Sequence, residues 1–265
     1  MSSVFVLPQS KSVHMMTDGL VYDRGGIVQA TNLAKAHALP TLPAAMSCTG
    51  PAFMSPLIAE KIAMEFSSFD EYIDRADEWL PAVFDAMAEK HRDGDAASSF
   101  YIIGWHEREN RPAAYCADLW TDKSSRIERI LANSGDRDVP RAKLIEQTTI
   151  AGTPLKPDLV VQCGFRERHN DQYNPELDLL YVTEVARQEH IEGAHWVGGK
   201  ILLTSIDAKG ITQRVVHHYD GDRVGEAVQP EPVTDWQAWR AAREKPAGSW
   251  LKRQIAERKK RKRAG

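Results

Sequence analysis

The sequence predicts an α+β fold in which two antiparallel β-sheets carry helices on their outer faces, giving a four-layer αββα sandwich. Three observations lead to this prediction. The first fifty residues are a series of short apolar and β-branched runs separated by turn residues. Two segments with the apolar spacing of helices follow. Two hairpin patterns come next, and a further predicted helix lies between them.

The N-terminal strands are predicted from apolar runs that end at turn residues. Ser3–Leu7 and Ser12–Met16 lie on either side of a turn at Pro8–Lys11, which predicts a hairpin. Further strands are predicted at Val21–Asp23, Ile27–Lys35 and Ala44–Cys48. Thr49–Pro51 should end the last of these strands, because glycine and proline both interrupt regular structure.

The helices are predicted from apolar residues that recur every three or four positions. Phe53–Phe66 and Tyr72–His91 form one such pair of segments, and Ser68 with Glu71 predicts a capping box at the start of the second. Pro175 begins another helix, which extends to about Gln188. A last helix is predicted through Trp236 and Trp239, after a proline-containing segment.

Two hairpins complete the predicted fold. The first joins Ser99–Trp105 to Ala113–Trp120, and the second joins Lys200–Ile206 to Ile211–His217. The region from 121 to 175 has a weaker pattern with much charge, in which Leu144–Ile145 and Val160–Val161 are strand-like.

The chain divides into a main domain and a basic extension. We expect a domain over residues 1–225 and a C-terminal Pro- and Trp-containing helical extension over 226–265. The net charge is −3, yet residues 252–265 carry eight Lys and Arg against Glu257, a local charge of +7. This tail, Lys252–Arg263, is either a disordered solubilising end or a contact for an acidic partner, nucleic acid included.

Composition argues against several classes of protein. No run of eighteen apolar residues is present, so we expect no membrane partner. Three widely spaced cysteines favour a reducing compartment, either cytoplasmic or virion-borne, over a disulfide framework, and Cys48 in an apolar strand predicts a buried thiol. His190 and His195 lack further ligands at zinc spacing, so no metal or other cofactor is expected.

The residue order at the N-terminus indicates a hydrolytic site. If the initiator Met is removed, Ser2 carries a free α-amine beside its hydroxyl, a nucleophile and base that can cleave amides. Asp18 closes the second predicted strand, Lys35 ends a later one, and Gly50 follows the strand that contains Cys48.

This arrangement resembles the N-terminal-nucleophile (Ntn) hydrolases, specifically the proteasome β-subunit and its bacterial HslV-type relative. The resemblance covers residues 2 to about 120 and resumes from 175 to 220. It is carried by the stretch from Ser12 to Gly50, with its Asp, turn, Lys strand and glycine stop, and by the Phe100–Leu119 hairpin.

The resemblance implies a role for each matching residue. Ser2 stands at the nucleophile position, with its α-amine as base, and Lys35 and Asp18 activate it. Gly50 would supply an oxyanion-stabilising N–H. Ser47 and Thr49 would bind substrate, and Thr49 is the alternative to Gly50 as the oxyanion donor. The implied activity is cleavage of peptide or amide bonds, without a cofactor, by a homo-oligomer assembled as a ring or stack.

Other interpretations of the same residues stay open. Asp18 beside Gly19 also fits a simple turn, Lys35 an ordinary edge-strand lysine, and Gly50 a purely conformational requirement. Lys35 comes one residue later than the family spacing, and Pro51 removes one backbone donor. The alternative function is a non-catalytic structural subunit with the Ntn fold, attached to a larger assembly through its basic tail.

Overall fold

The computed structural model describes residues 3–90, 97–120 and 143–244. Contacts divide the chain into two compact units, Met1–Pro230 and Glu231–Gly265. Residues just beyond 225 belong to the first unit, because Glu226 accepts a hydrogen bond from Val28 N–H and Ala227 forms a β-bridge with Ile27. In the second unit, the Asp235 side chain caps a short helix by accepting from Ala238 N–H.

The strands of the described residues form two five-stranded antiparallel sheets and one small ribbon. In chain order they are β1 (Val4–Pro8), β2 (Ser12–Thr17), β3 (Val21–Tyr22), β4 (Val28–Ala30), β5 (His37–Leu39), β6 (Ala44–Cys48), β7 (Ala97–His106), β8 (Arg111–Trp120), β9 (Ile145–Glu146), β10 (Ala151–Gly152), β11 (Lys200–Asp207) and β12 (Gly210–His218). The first sheet has the order β10-β1-β2-β11-β12, and the second has β5-β6-β7-β8-β9. Strands β3 and β4 pair only with each other.

The described helices are α1 (Met54–Glu65), α2 (Phe69–Lys90), α3 (Pro157–Cys163), α4 (Pro175–Gln188) and α5 (Trp236–Arg243). The predicted cap of α2 is present in part. Ser68 Oγ accepts from Glu71 N–H over 3.1 Å, whereas the Glu71 carboxylate accepts from Ser67 N–H and not from Ser68. Together with the two antiparallel sheets, these helices confirm the predicted mixed α+β class.

Strand alternation sends neighbouring side chains of β6 into different cores. Met46 and Cys48 join an apolar cluster with buried residues of α1 and α2. Ala45 points the other way, into a cluster shared by β1, β2 and β11 of the first sheet and β7 and β8 of the second. Helix α4 contacts β1 and β2. The two sheets therefore share a core, and helices cover parts of both.

Three sequence predictions are wrong. Val160–Val161 is not a strand but part of α3, because Pro157 occupies the start of a helix and Gly164 ends it in the left-handed conformation. The predicted strand Ile27–Lys35 ends at Ala30, so Lys35 lies in an irregular segment before β5. The edge-strand interpretation of Lys35 is therefore also wrong.

The three predicted hairpins are confirmed. Strand β1 pairs with β2 from Val4 opposite Thr17 to Pro8 opposite Val13. Strand β7 pairs with β8 along its whole length, from Ala97 opposite Trp120 to His106 opposite Arg111. Strand β11 pairs with β12 in the same way, with one bulge near Ile201. Among the described residues, no helix is both long and apolar enough to cross a membrane.

Candidate functional site

A buried ion pair joins Asp18 to Lys35. Asp18 is the first residue after β2, and Lys35 lies two residues before β5. Lys35 Nζ donates to Asp18 Oδ1 over 2.8 Å, and the two side chains are only 8% and 0% exposed. Burying charges is unfavourable unless they are paired and hydrogen-bonded. The fold must therefore hold both residues in a defined geometry.

The Asp18 carboxylate also binds the backbone at the start of β1. Ser3 N–H donates to Oδ1 over 2.9 Å, and Leu20 N–H donates to Oδ2 over 3.2 Å. Asp18 N–H in turn donates to the Ser3 carbonyl over 3.3 Å. Asp18 thus links Lys35 to the amide that directly follows Ser2. Ser2 itself lies outside the described residues.

A cavity of about 500 Å³ opens beside Lys35. This volume lies within the range of sites that bind small ligands. Its lining comes from the segment after Asp18, the segment before β5, the connection from β6 into α1, and the loop after α4. The aliphatic lining residues are Leu20, Val21, Leu33, Ala34, Pro51, Ala52 and Pro56.

Two aromatic side chains form part of the cavity wall. The rings of Tyr22 and Trp196 meet edge to face with centroids 4.5 Å apart. Trp196 Nε1 donates to the Ile191 carbonyl over 2.8 Å, which fixes the indole. The sequence predictions missed both residues, and they also missed His37 and Ser55. In the sequence, the feature that indicates a structured loop here is Trp196, a large aromatic residue between Gly193 and Gly198.

Gly50 and Lys35 line the same cavity. Its φ of 101° falls in the region that favours glycine, so the backbone conformation there is itself a requirement. The next residue, Pro51, also lines the cavity and has no N–H to offer. Of these two residues, only Gly50 can therefore donate a backbone N–H to an oxyanion.

The two predicted substrate-binding residues lie differently. Thr49 pairs with Ser99: its N–H donates to the Ser99 carbonyl over 2.9 Å, and its Oγ1 accepts from Ser99 N–H over 2.8 Å. Ser47 is fully buried on the face of β6 shared with Ala45, and its Oγ has no hydrogen-bond partner among the described residues. The cavity lining includes their neighbour Cys48 but neither Ser47 nor Thr49.

Burial favours the neutral form of two titratable groups in the cavity wall. It raises the pKa of the Cys48 thiol to about 12, against smaller opposing effects of hydrogen bonds with Ser55 and Ser98. Burial also lowers the pKa of His37 from its ordinary value. Ser55 Oγ accepts from Cys48 N–H over 3.2 Å and lies 3.3 Å from the Lys35 carbonyl, to which it donates. These contacts tie α1 to the segment that carries Lys35.

In the described part of the chain, no three His, Cys, Asp or Glu side chains are grouped so that they could hold a metal ion. The basic tail Lys252–Arg263 lies outside the described residues.

No protein-family model matches this chain, and no curated protein matches it in sequence.

Proposed function

We propose that this protein is an N-terminal-nucleophile hydrolase of the proteasome β-subunit and HslV type that cleaves amide or peptide bonds. The observation that carries the proposal is the buried Asp18–Lys35 pair, whose carboxylate also binds the amide following Ser2. The paired sheets, with α1 and α2 against one and α4 against the other, support the four-layer αββα sandwich of that family. Hydrolases of this type act without a cofactor, and the sequence predicts none.

In the proposed reaction, Ser2 Oγ attacks the substrate carbonyl carbon while its free α-amine accepts the hydroxyl proton. The positive charge of Lys35 stabilises the developing negative charge, and Asp18 orients that ammonium group. Collapse of the tetrahedral intermediate breaks the C–N bond, and the departing amine takes the proton. Water then hydrolyses the Ser2 ester, which releases the acid and restores the hydroxyl.

The cavity beside Lys35 supports a substrate with a largely apolar side chain. Most of its lining is aliphatic or aromatic, Asp23, Arg24 and Glu192 also line it, and burial favours the neutral forms of Cys48 and His37. Lys35 is already paired with Asp18. A charged group on the substrate would find its partners at Asp23, Arg24 or Glu192 and not at Lys35.

Assembly belongs to the same proposal. A homo-oligomeric ring or stack is implied by the family resemblance, and the basic tail Lys252–Arg263 is the proposed contact for an acidic partner. A non-catalytic structural subunit is the second candidate. Pro51 favours it, because this residue removes a backbone donor at the proposed oxyanion position.

One experiment separates the two candidates. Intact-mass measurement of the purified protein first establishes whether Met1 is removed. The protein is then incubated with a β-lactone probe, and the adduct is located by peptide mapping. We expect a stoichiometric adduct on Ser2 that is lost in Ser2→Ala, whereas Ser3→Ala should still be labelled. Retention of Met1, or labelling that is unaffected by Ser2→Ala, refutes the hydrolase and favours the structural subunit.

A further inference from the structure

We infer that a second buried ion pair, Arg187–Asp222, is a positioning element that sets the geometry of the Asp18–Lys35 site through the Gly198–Gly199 backbone. Its effect on catalysis depends on the proposed hydrolase function, but its effect on the position of Asp18 does not. Neither residue lines the cavity or contacts Asp18 or Lys35 through any hydrogen bond described for the two side chains.

The pair has the geometry of a rigid clamp. Arg187 lies in the last turn of α4, and Asp222 follows β12. Arg187 Nη2 donates to Asp222 Oδ1 over 2.7 Å, and Nη1 donates to Oδ2 over 2.9 Å. The side chains are 6% and 1% exposed, and the Tyr219 ring lies 3.9 Å from the guanidinium carbon. Two parallel hydrogen bonds fix both distance and orientation.

The same two side chains hold the backbone that precedes β11. Arg187 Nη1 donates to the Val197 carbonyl over 2.7 Å, and Asp222 Oδ2 accepts from Gly199 N–H over 2.7 Å. A Cβ atom at Gly198 would overlap both Arg187 and Asp222. The backbone therefore passes directly against the ion pair, and the missing side chain at Gly198 is what permits this approach.

Gly198 connects this clamp to the site. Gly19 N–H, in the residue after Asp18, donates to the Gly198 carbonyl over 3.2 Å. The Gly19 carbonyl in turn accepts from Leu33 N–H over 3.0 Å, in the segment that leads to Lys35. A Cβ at Gly19 would lie 2.8 Å from the Lys200 carbonyl oxygen, so these backbones are packed without spare room. The Asp18–Gly19 peptide is thus held between the clamped loop and the Lys35 segment.

A further hydrogen bond joins the residue after Gly199 to the segment between β4 and β5. Lys200 N–H donates to the Thr31 carbonyl over 2.7 Å, directly after the clamped glycines. Trp196, on the same loop, lines the cavity. One ion pair therefore restrains the position of the site carboxylate, the segment that carries Lys35 and part of the cavity wall.

Stability alone does not account for such a pair. Desolvation of two buried charges offsets most of their attraction, so apolar residues of similar volume often serve a fold equally well. What the ion pair supplies is a specific geometry. Misplacement of a catalytic group by about 1 Å can lower a rate about 100-fold, so small shifts of Gly19 have large consequences.

The test compares Arg187→Lys with Arg168→Lys. Each substitution keeps the charge but removes guanidinium hydrogen bonds to a buried carboxylate. In the control, Arg168 makes a single hydrogen bond of 2.9 Å to Asp178, which lies on the same helix as Arg187. Asp222→Asn provides a second, shape-conserving change to the clamp in case Arg187→Lys folds poorly. All proteins are studied at a temperature where unfolding is negligible.

The first measurement is the rate of β-lactone labelling of Ser2 as a function of pH. We expect Arg187→Lys and Asp222→Asn to label at least 10-fold more slowly than the wild-type protein. The pH of half-maximal labelling should also rise, because a displaced Lys35 ammonium would disfavour protonation of the proposed α-amine base less strongly. Arg168→Lys should retain the wild-type profile. A loss of rate that only follows the folded fraction, with no change in the pH profile, overturns the inference.

The second measurement does not require activity. Hydrogen exchange of the Gly19 and Leu33 amides, measured by NMR, should be at least 10-fold faster in the clamp variants, while the β7 and β8 amides remain unchanged. Unchanged exchange at Gly19 overturns the positioning role, even if Ser2 is labelled. Faster exchange at Gly19 in a protein that is never labelled supports the positioning role and refutes the proposed hydrolase.

Discussion

Replacement of Asp18 by asparagine tests the buried ion pair most directly. Asparagine has nearly the same shape, and its Oδ1 can still accept from Ser3 N–H, but its Nδ2 cannot accept from Leu20 N–H. The change therefore removes the negative charge opposite Lys35 and one backbone hydrogen bond. Breaking a buried ion pair by changing one partner typically lowers the free energy of unfolding by about 3 to 5 kcal/mol. Because the hydrogen bond from Ser3 N–H can persist while that from Leu20 N–H is lost, we expect a loss of about 3 kcal/mol.

This loss is measurable by ordinary unfolding experiments. For a domain of this size, each 1 kcal/mol lowers Tm by about 2 to 4 °C, so Asp18→Asn should lower it by about 6 to 12 °C. The double variant Asp18→Asn/Lys35→Met removes the uncompensated buried ammonium. A double-mutant cycle in urea should therefore show a coupling free energy of about 1 to 3 kcal/mol between the two positions.

The control is a surface ion pair of the same chain. Arg75 lies 3.7 Å from Glu71 on an exposed face of α2, so Arg75→Gln should change the unfolding free energy by less than about 0.5 kcal/mol. If Asp18→Asn is as mild as this control, or if the Asp18 and Lys35 substitutions are additive, the pair is not the buried, coupled unit on which the proposed site depends.

Three further predictions concern other parts of the fold. Burial lowers the pKa of His14 to about 4, whereas a histidine in the unfolded chain has a pKa of about 6.5. Between these two pH values the unfolded chain binds a proton that the folded chain does not. The free energy of unfolding should therefore fall by up to about 3 kcal/mol as the pH drops from about 6.5 to about 4. Thermal melting across that pH range should show a smaller loss in His14→Gln; identical pH dependence in both proteins contradicts the prediction. Because burial raises the pKa of Cys48 to about 12, iodoacetamide at pH 8 should leave this thiol unmodified in the native protein and alkylate it in urea, and rapid native alkylation would be inconsistent with this burial. Gly164 ends α3 with a φ of 69°, so Gly164→Ala should lower the unfolding free energy by about 1 kcal/mol in urea, and an unchanged midpoint would argue against this cap.

Local patterns in the sequence identified much of the secondary structure. The β7–β8 and β11–β12 hairpins follow from β-branched and aromatic runs flanking polar turns, a signal that depends on neighbouring residues alone. Cys48 was expected in a buried strand, and its side chain is 7% exposed. The position of Asp18 at the end of β2 was predicted in the same way.

The wrong predictions arose where tertiary contacts outweigh local preference. Val160 and Val161 favour a strand by residue type, yet Pro157 and Gly164 frame a helix that packs beside α4. The residues between Ala30 and Lys35 include no strand because their backbone groups bond elsewhere: Leu33 N–H to Gly19 and the Thr31 carbonyl to Lys200. Neither partner can be identified from spacing along the chain.

By itself, the sequence determined the order and type of most elements and the candidate residues Asp18, Lys35 and Gly50. Side-chain periodicity is a local property, which is why these features can be inferred from neighbouring residues. Only the tertiary structure decided that Lys35 is buried against Asp18, that Trp196 completes the cavity wall, and that Arg187 clamps the glycine loop. Burial of charge depends on which distant groups replace water around it, and that is settled only when the whole chain packs.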